Sequence, residues 1–351
     1  MERALGLAWG GWGRVGSNPM VGAVVVRHGR PVGEGFHAEF GGPHAEVSAL
    51  AAAGAEARGA DLVVTLEPCA HHGKTPPCTE AILRAEVGRV VFGAGDPNPE
   101  ARGGAEALRS GGVAVVGGLM DGEVRRQNAV FFHRHSGSPR PFVALKLAMS
   151  LDARIADADR RSRWISGGEA RDHVQWLRAG FDAIAVGVGT VRADDPELTV
   201  RGAVRPLVPP LRVVFDRRAE VPPQSQLVAG ARETPTIVIA GPVSPAAARA
   251  ALERAGVAVL EAEGPADALA ALRSRGVASL LVEGGGVVAG RLLSAGLVDR
   301  LYIFVAPVLL GSGSVPAFGE LPGAALDAAR RWRVVERRSL GEDQLLVLDG
   351  D

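Results

Sequence analysis

Lysine occurs only twice in this chain of 351 residues, cysteine twice, tyrosine once, and net charge is zero. Each scarcity excludes something. Residues 1–140 hold 14 basic and 14 acidic side chains, so neither half offers the Lys/Arg excess that neutralises phosphates in a nucleic-acid binder. No run of about 18 apolar residues appears, so no segment reads as membrane-spanning. The opening Met1-Glu2-Arg3-Ala4-Leu5 lacks a basic-then-apolar export layout, and cytoplasm is the expected location. With 47% hydrophobic and 22% charged residues, a soluble protein with two cores is expected, acting on a small molecule. A homo-oligomer is the expected assembly.

What is present alternates. Val21–Val26 reads as a strand followed by a turn at His28-Gly29-Arg30, then a helix from about Ala45 to Ala57. Leu62–Leu66 and Val90–Ala94 read as strands flanking a Pro/Cys/His loop, with helix and strand again at Ala105–Ser110 and Val113–Val116. His133–Pro141 has two prolines and no apolar periodicity, and reads as the linker. The expected domains are 1–136 and 141–351, joined by 137–140. Beyond it, strands are expected at Phe142–Leu145, Ala183–Val188, Leu211–Phe215, Thr236–Ile239, Val257–Leu260, Leu280–Val282 and Leu301–Val305. Both halves read as layered α/β domains.

Both cysteines lie in one constellation: Pro43-His44-Ala45-Glu46, Glu67-Pro68-Cys69 and Pro76-Pro77-Cys78. A catalytic zinc takes three imidazole or thiolate ligands and keeps a fourth position open. His44, Cys69 and Cys78 supply that set, and Glu46 is placed to shuttle protons beside it. His-x-Glu followed by Pro-Cys is the pattern of zinc nucleobase deaminases, whose cysteines are separated by two residues. Here eight intervene. A structural zinc with His71 or His72 as fourth ligand is the alternative, and a disulfide is disfavoured without export.

The loop Glu67-Pro68-Cys69-Ala70-His71-His72-Gly73-Lys74-Thr75-Pro76-Pro77-Cys78 resembles the motif of the bifunctional deaminase–reductases of riboflavin biosynthesis. In the second half, Leu145–Asp152, Trp164-Ile165-Ser166-Gly167, Leu177-Arg178-Ala179, Gly187–Arg201 and Glu283-Gly284-Gly285-Gly286 resemble the reductase half of that family. The resemblance implies a cytidine-deaminase-like three-layer domain followed by a dihydrofolate-reductase-like α/β domain. It implies a hydrolase acting on a cyclic amidine: zinc-activated water deaminates 2,5-diamino-6-ribosylamino-4(3H)-pyrimidinone 5′-phosphate. NADPH then reduces the ribosyl chain, giving 5-amino-6-ribitylamino-uracil 5′-phosphate.

By position, the resemblance assigns Asn18, His37, His71, Lys74, Asp96 and Asn98 to the deaminase substrate. It assigns Ala148, Trp164, Thr190, Asp194, Gly285, Gly286, Val287, Val288, Ala289, Gly290 and Arg291 to NADPH. Lys146, Ser162, Arg178, Leu198, Arg201 and Glu283 are assigned to the reductase substrate. Plainer readings stand beside these: Asn18, Asp96 and Asn98 as turn residues, Trp164 as core, Arg178 as a solvated helix charge, the glycine run as a loop. An inert reductase half, or a zinc-stabilised binding module, are the alternatives for the whole. The chain departs from the family pattern at Val15 and Ser17 before Asn18, at Ala153 where glycine is usual, and at Arg217 where serine is common.

Overall fold

The computed structural model describes residues 1–73 and 75–350. They form two compact units, Met1–Ser138 with Val204–Val208, and Pro139–Ala203 with Pro209–Asp351. The short piece 204–208 falls with the first unit, where the Leu207 amide donates to the Gly13 carbonyl. Among the described residues no helix is long and apolar enough to cross a membrane.

The first unit is built on β1 (Gly22–Arg27), β2 (Arg30–Phe36), β3 (Asp61–Leu66), β4 (Arg89–Ala94) and β5 (Ala114–Val116) in the order β2-β1-β3-β4-β5. The β1–β2 turn places His28 at φ +49° and Gly29 at φ +75°, the two left-handed positions that a tight hairpin needs. Directly paired residues share a face. Gly22 pairs with Phe36, and a Cβ on Gly22 would lie 2.0 Å from the Ala4 carbonyl oxygen of the helix Glu2–Ala8. Gly35 pairs with Ala23, and a Cβ there would lie 2.5 Å from the Ala49 amide of the helix Ala45–Ala53. The two helices therefore cover opposite faces, which makes three layers. The helix Ala129–Arg134 extends into the stretch expected as linker, because Phe131 is buried in the first core.

The second unit contains β6 (Phe142–Ser150), β7 (Arg154–Ala156), β8 (Ala183–Gly187), β9 (Leu211–Phe215), β10 (Thr236–Ala240), β11 (Ala258–Glu261) and β12 (Ser279–Glu283). β13 (Arg300–Ala306), β14 (Val315–Pro316), β15 (Trp332–Leu340) and β16 (Asp343–Gly350) complete it. Nine of them form one sheet, ordered β11-β10-β9-β8-β12-β6-β13-β16-β15, while β7 and β14 pair apart. Pairing is parallel from β11 to β13 and antiparallel in the closing hairpin. Alternate residues feed two cores: Ala183, Ala185, Ile237 and Ile239 one, Ile184, Val186, Val238 and Ala240 the other. Burial on both faces is why these strands read as unbroken apolar runs.

Candidate active sites

In the first unit, strand ends and helix starts converge. His44 directly precedes the helix Ala45–Ala53, Cys69 follows β3, and Cys78 opens the helix Cys78–Arg84. His44 Nδ1 lies 3.1 Å from Cys78 Sγ and 3.6 Å from Cys69 Sγ, and the three donor atoms all fall within 4.8 Å of one another. A zinc bonded at about 2.0–2.3 Å bridges donors at such separations. His71 and His72 are not in this group; His72 pairs with Glu80 at 3.1 Å instead. The donor set is thus the three-ligand kind. Hydrogen bonding from Cys78 brings the Cys69 thiol down to about 4, a thiolate ready to ligate, while that anion and burial push Cys78 up. Thr75 Oγ1, 3.3 Å from His44 Nε2, holds the far side of the ring.

His44 and Cys69 border a cavity of about 210 Å³ that also takes in Glu46, Asn18, His37, His71, Asp96 and Asn98. Glu46 is 3% exposed, and burial pushes its carboxyl above the usual range. His37 Nδ1 lies 3.0 Å from the Pro43 carbonyl, an acceptor, so Nδ1 carries the proton and Nε2 accepts from Asn18 Nδ2 at 3.0 Å. His37 thereby spends both ring nitrogens on the protein, and leaves the Asn18 carbonyl oxygen for the cavity. His71 Nδ1 is buried with no hydrogen-bond partner among the described residues. Asp96, raised to about 6 by burial, accepts from the Asn98 amide at 2.8 Å, and Asn98 Oδ1 accepts from Glu100 at 3.1 Å. They are turn residues and cavity residues at once. Lys74 lies outside the described residues.

Two supports escaped sequence reading. Glu67 accepts from the Ala105 amide at 3.0 Å and the Asp96 amide at 3.4 Å, tying three loops together. Asn128 exchanges hydrogen bonds of 2.8 and 2.9 Å with the backbone of Met20, pinning the segment that carries Asn18. Asn128 is the third of three asparagines, and that rarity was the available signal.

In the second unit a cleft of about 1790 Å³ runs along the carboxyl ends of the parallel strands, where ligands bind in open α/β sheets. Lys146 and Glu283 are register partners on β6 and β12. Arg178 grips Glu283 with two hydrogen bonds, 2.6 and 2.9 Å, and donates a third to the Thr199 carbonyl at 2.9 Å. At 9% exposure it is no solvated helix charge. Burial pushes Glu283 up, but Arg178 holds it below the usual carboxylate range; burial also pulls Lys146 down, against the pull of Glu283. Ser162 Oγ donates to Asp194 at 2.6 Å.

Trp164 is 70% exposed at the rim, 4.8 Å below the Arg171 guanidinium, so it is not core. Gly284 and Gly285, at φ +73° and +81°, make the turn into the helix Gly286–Ser294, with Thr190 Oγ1 3.3 Å from where a Gly285 Cβ would stand. Ala148, Thr190, Asp194, Leu198, Arg201, Gly286, Val287, Val288 and Arg291 line the cleft as well. Ala289 and Gly290 do not. Ala289 is fully buried in the core, and Gly290 packs on Gly319, whose carbonyl oxygen would lie 1.8 Å from a Cβ. Both pack behind the residues that line the cleft. Ala153 sits at φ +56°, which explains the glycine usual there.

Residues 141–346 match the family model of the RibD C-terminal domain. The chain belongs to the RibD family. Residues 1–94 match the cytidine and deoxycytidylate deaminase zinc-binding region, which brings zinc to the His44, Cys69 and Cys78 cluster. Among its RibD relatives is the riboflavin biosynthesis protein RibD of Aquifex aeolicus, 40% identical over 99% of this chain and 96% of that protein. A solved Acinetobacter baumannii RibD superposes with TM-score 0.84 at 36% identity, covering 100% of this chain and 97% of that one. A Thermotoga maritima diaminohydroxyphosphoribosylaminopyrimidine deaminase/5-amino-6-(5-phosphoribosylamino)uracil reductase superposes at 0.82 with 35% identity and the same coverage. This RibD chain is therefore a deaminase fused to an NADPH-dependent reductase of riboflavin biosynthesis.

Proposed function

We propose that the two units act in sequence on one small molecule, 2,5-diamino-6-ribosylamino-4(3H)-pyrimidinone 5′-phosphate: the first removes its ring amine, the second reduces its ribosyl chain to ribityl. The observation that carries this is the buried carboxyl of Glu46 in the same small cavity as His44 and Cys69, two of the three convergent donors.

Zinc on His44, Cys69 and Cys78 supplies the Lewis acidity that makes water a nucleophile near neutral pH. The Glu46 carboxylate takes a proton from the attacking water and returns it, through the ring nitrogen, to the departing amine. Proton transfer of this kind contributes about 10²–10⁴-fold. The Asn18 carbonyl oxygen, fixed by His37, accepts from a ring N–H. His71 Nδ1 and Asp96 face the polar edge and the sugar.

NADPH supplies hydride to the sugar carbon in the second unit. There Lys146 Nζ, under the pull of the Glu283 carboxylate and over the Phe304 ring, orients the sugar oxygen, and Ser162 and Arg201 secure the phosphate end. The shared pair Arg178–Glu283 fixes the floor on which the sugar lies. We place the enzyme in the cytoplasm, where its free thiols stay reduced, and expect it to assemble as a homo-oligomer.

Mass spectrometry of the products formed by zinc-loaded protein, with and without NADPH, tests the proposal. Replacement of the amine by oxygen without NADPH, and gain of two hydrogens with it, is the expected result. Deamination with no reduction would leave an inert second unit. No conversion by folded, zinc-loaded protein would overturn the assignment.

A further inference from the structure

The outer end of the reductase cleft holds a cation that no carboxylate among the described residues neutralises. Arg217 follows β9, is exposed, and lines the cleft together with Arg218. Among the described residues Arg217 forms no ion pair, unlike Arg192, Arg201 and Arg291, which hold Glu220, Glu197 and Glu320 at 2.8, 3.0 and 2.8 Å. Glu220 is already occupied by Arg192 and sits 3.9 Å from Arg218. Glu263, which follows β11 two strand spacings away, forms no ion pair with Arg217 either.

The stem of Arg217 is seated while its head is free. The Arg217 carbonyl accepts from the Gly241 amide at 2.9 Å, which ties it to the end of β10. A Cβ on Gly241 would lie 2.8 Å from Arg217 Cγ and 3.0 Å from its carbonyl oxygen, so only glycine leaves room for the stem. Beneath it, the buried Asp216 carboxylate accepts from the Val221 and Arg218 amides at 2.7 and 3.3 Å and fixes the turn. This is a built mount for a guanidinium that faces the cleft.

Its distance along the sheet identifies the ligand. Gly284 and Gly285 form the turn at the end of β12, where a pyrophosphate can meet backbone amides and the start of a nine-residue helix. Arg217 lies two strands further out, about 10 Å across β8. Lys146 and Glu283 mark the reacting end, so a dinucleotide crossing the glycine turn extends its adenosine half toward β9. A planar guanidinium suits a phosphate through paired hydrogen bonds. We propose that Arg217 grips the phosphate on the adenosine ribose of NADPH and so sets the preference of this enzyme for NADPH over NADH. The inference rests on the reductase reading above.

Calorimetric titration of the full-length protein with NADPH, NADH, adenosine 2′,5′-bisphosphate and 5′-AMP tests it, in the wild type and in Arg217→Ala and Arg217→Lys. The wild type is expected to prefer each 2′-phosphorylated ligand. Arg217→Ala should weaken NADPH and the bisphosphate about 10- to 100-fold, the loss of a charge-assisted contact. NADH and 5′-AMP should bind as before, and Arg217→Lys should recover part of the loss. A variant that weakens all four ligands alike, or none, overturns the role of Arg217. A wild type that binds neither dinucleotide overturns the reductase reading itself, a distinguishable result.

Discussion

Glu46 is a carboxyl in an almost waterless setting, and that setting defines its job. It is not one of the three convergent donors, so replacing it need not disturb metal retention. Glu46→Gln should keep full zinc occupancy by elemental analysis while deamination falls by about 10²–10⁴-fold; near-wild-type turnover would remove Glu46 from the proton path. Rarity made this site legible: the chain spends both cysteines and one of eight histidines on one cluster. Glu67 and Asn128 stayed hidden because they act on backbone amides and carbonyls, which no residue pattern displays. His173, outside any motif, carries a second residue-scale prediction. Its ring stacks on Trp176 at 5.1 Å, and burial, helped by Arg338, lowers its pKa to about 4 from 6.5. Between those values the unfolded chain binds a proton that the native ring refuses, so stability falls as pH drops through the window and is unaffected above it. Full shielding would make this roughly 3 kcal/mol, and solvent screening of a half-buried ring reduces it to about 1 kcal/mol. His173→Phe should flatten that part of the pH dependence of thermal unfolding relative to wild type. Parallel curves for the two proteins would refute the assignment.

Elements position these residues through close approaches that only glycine permits. A Cβ on Gly104, the first residue of the helix Gly104–Ser110, would stand 1.7 Å from the carbonyl oxygen of Pro68, the neighbour of Cys69. Gly104→Ala should therefore push the Cys69 loop away from His44, costing about 1–3 kcal/mol of stability and releasing zinc to a chromogenic chelator faster than wild type. Unchanged release would mean that the loop absorbs the shift without moving the ligand. On the reductase side Gly290→Ala meets the Gly319 carbonyl, and the helix Gly286–Ser294 should tilt at the glycine turn. NADPH affinity should then drop although residue 290 faces away from the cleft, and a titration equal to wild type would exclude that coupling. Element existence was readable wherever a strand is buried on both faces, as in β8, β10 and β12. The hairpin of β15 and β16 was not foreseen: Trp332–Leu340 carries Arg333, Glu336, Arg337 and Arg338 on an edge strand that is largely exposed. Charge protects such an edge from pairing with other chains, and that same charge masks it in the sequence.

At the scale of the molecule, the described residues lining each site come from a single unit. Every described residue around the zinc donors belongs to Met1–Ser138, and the reductase cleft is lined from 146–201 and 215–316 in the other unit. Sheet order could not be read from strand composition, since it depends on which apolar run pairs with which. The partition has a measurable consequence. Metal binding adds to the folding free energy of the unit that holds the ligands, so removing zinc should weaken the first unit and leave the second intact. Protein stripped with a chelator should lose amine release, yet bind NADPH as before and still reduce the deaminated intermediate when it is supplied directly. Unfolding followed by calorimetry should show the transition of the first unit moving to lower temperature while the other stays. If NADPH binding or reduction falls together with zinc, the reductase cleft depends on the deaminase fold, and the two activities are linked by folding as well as by their shared substrate.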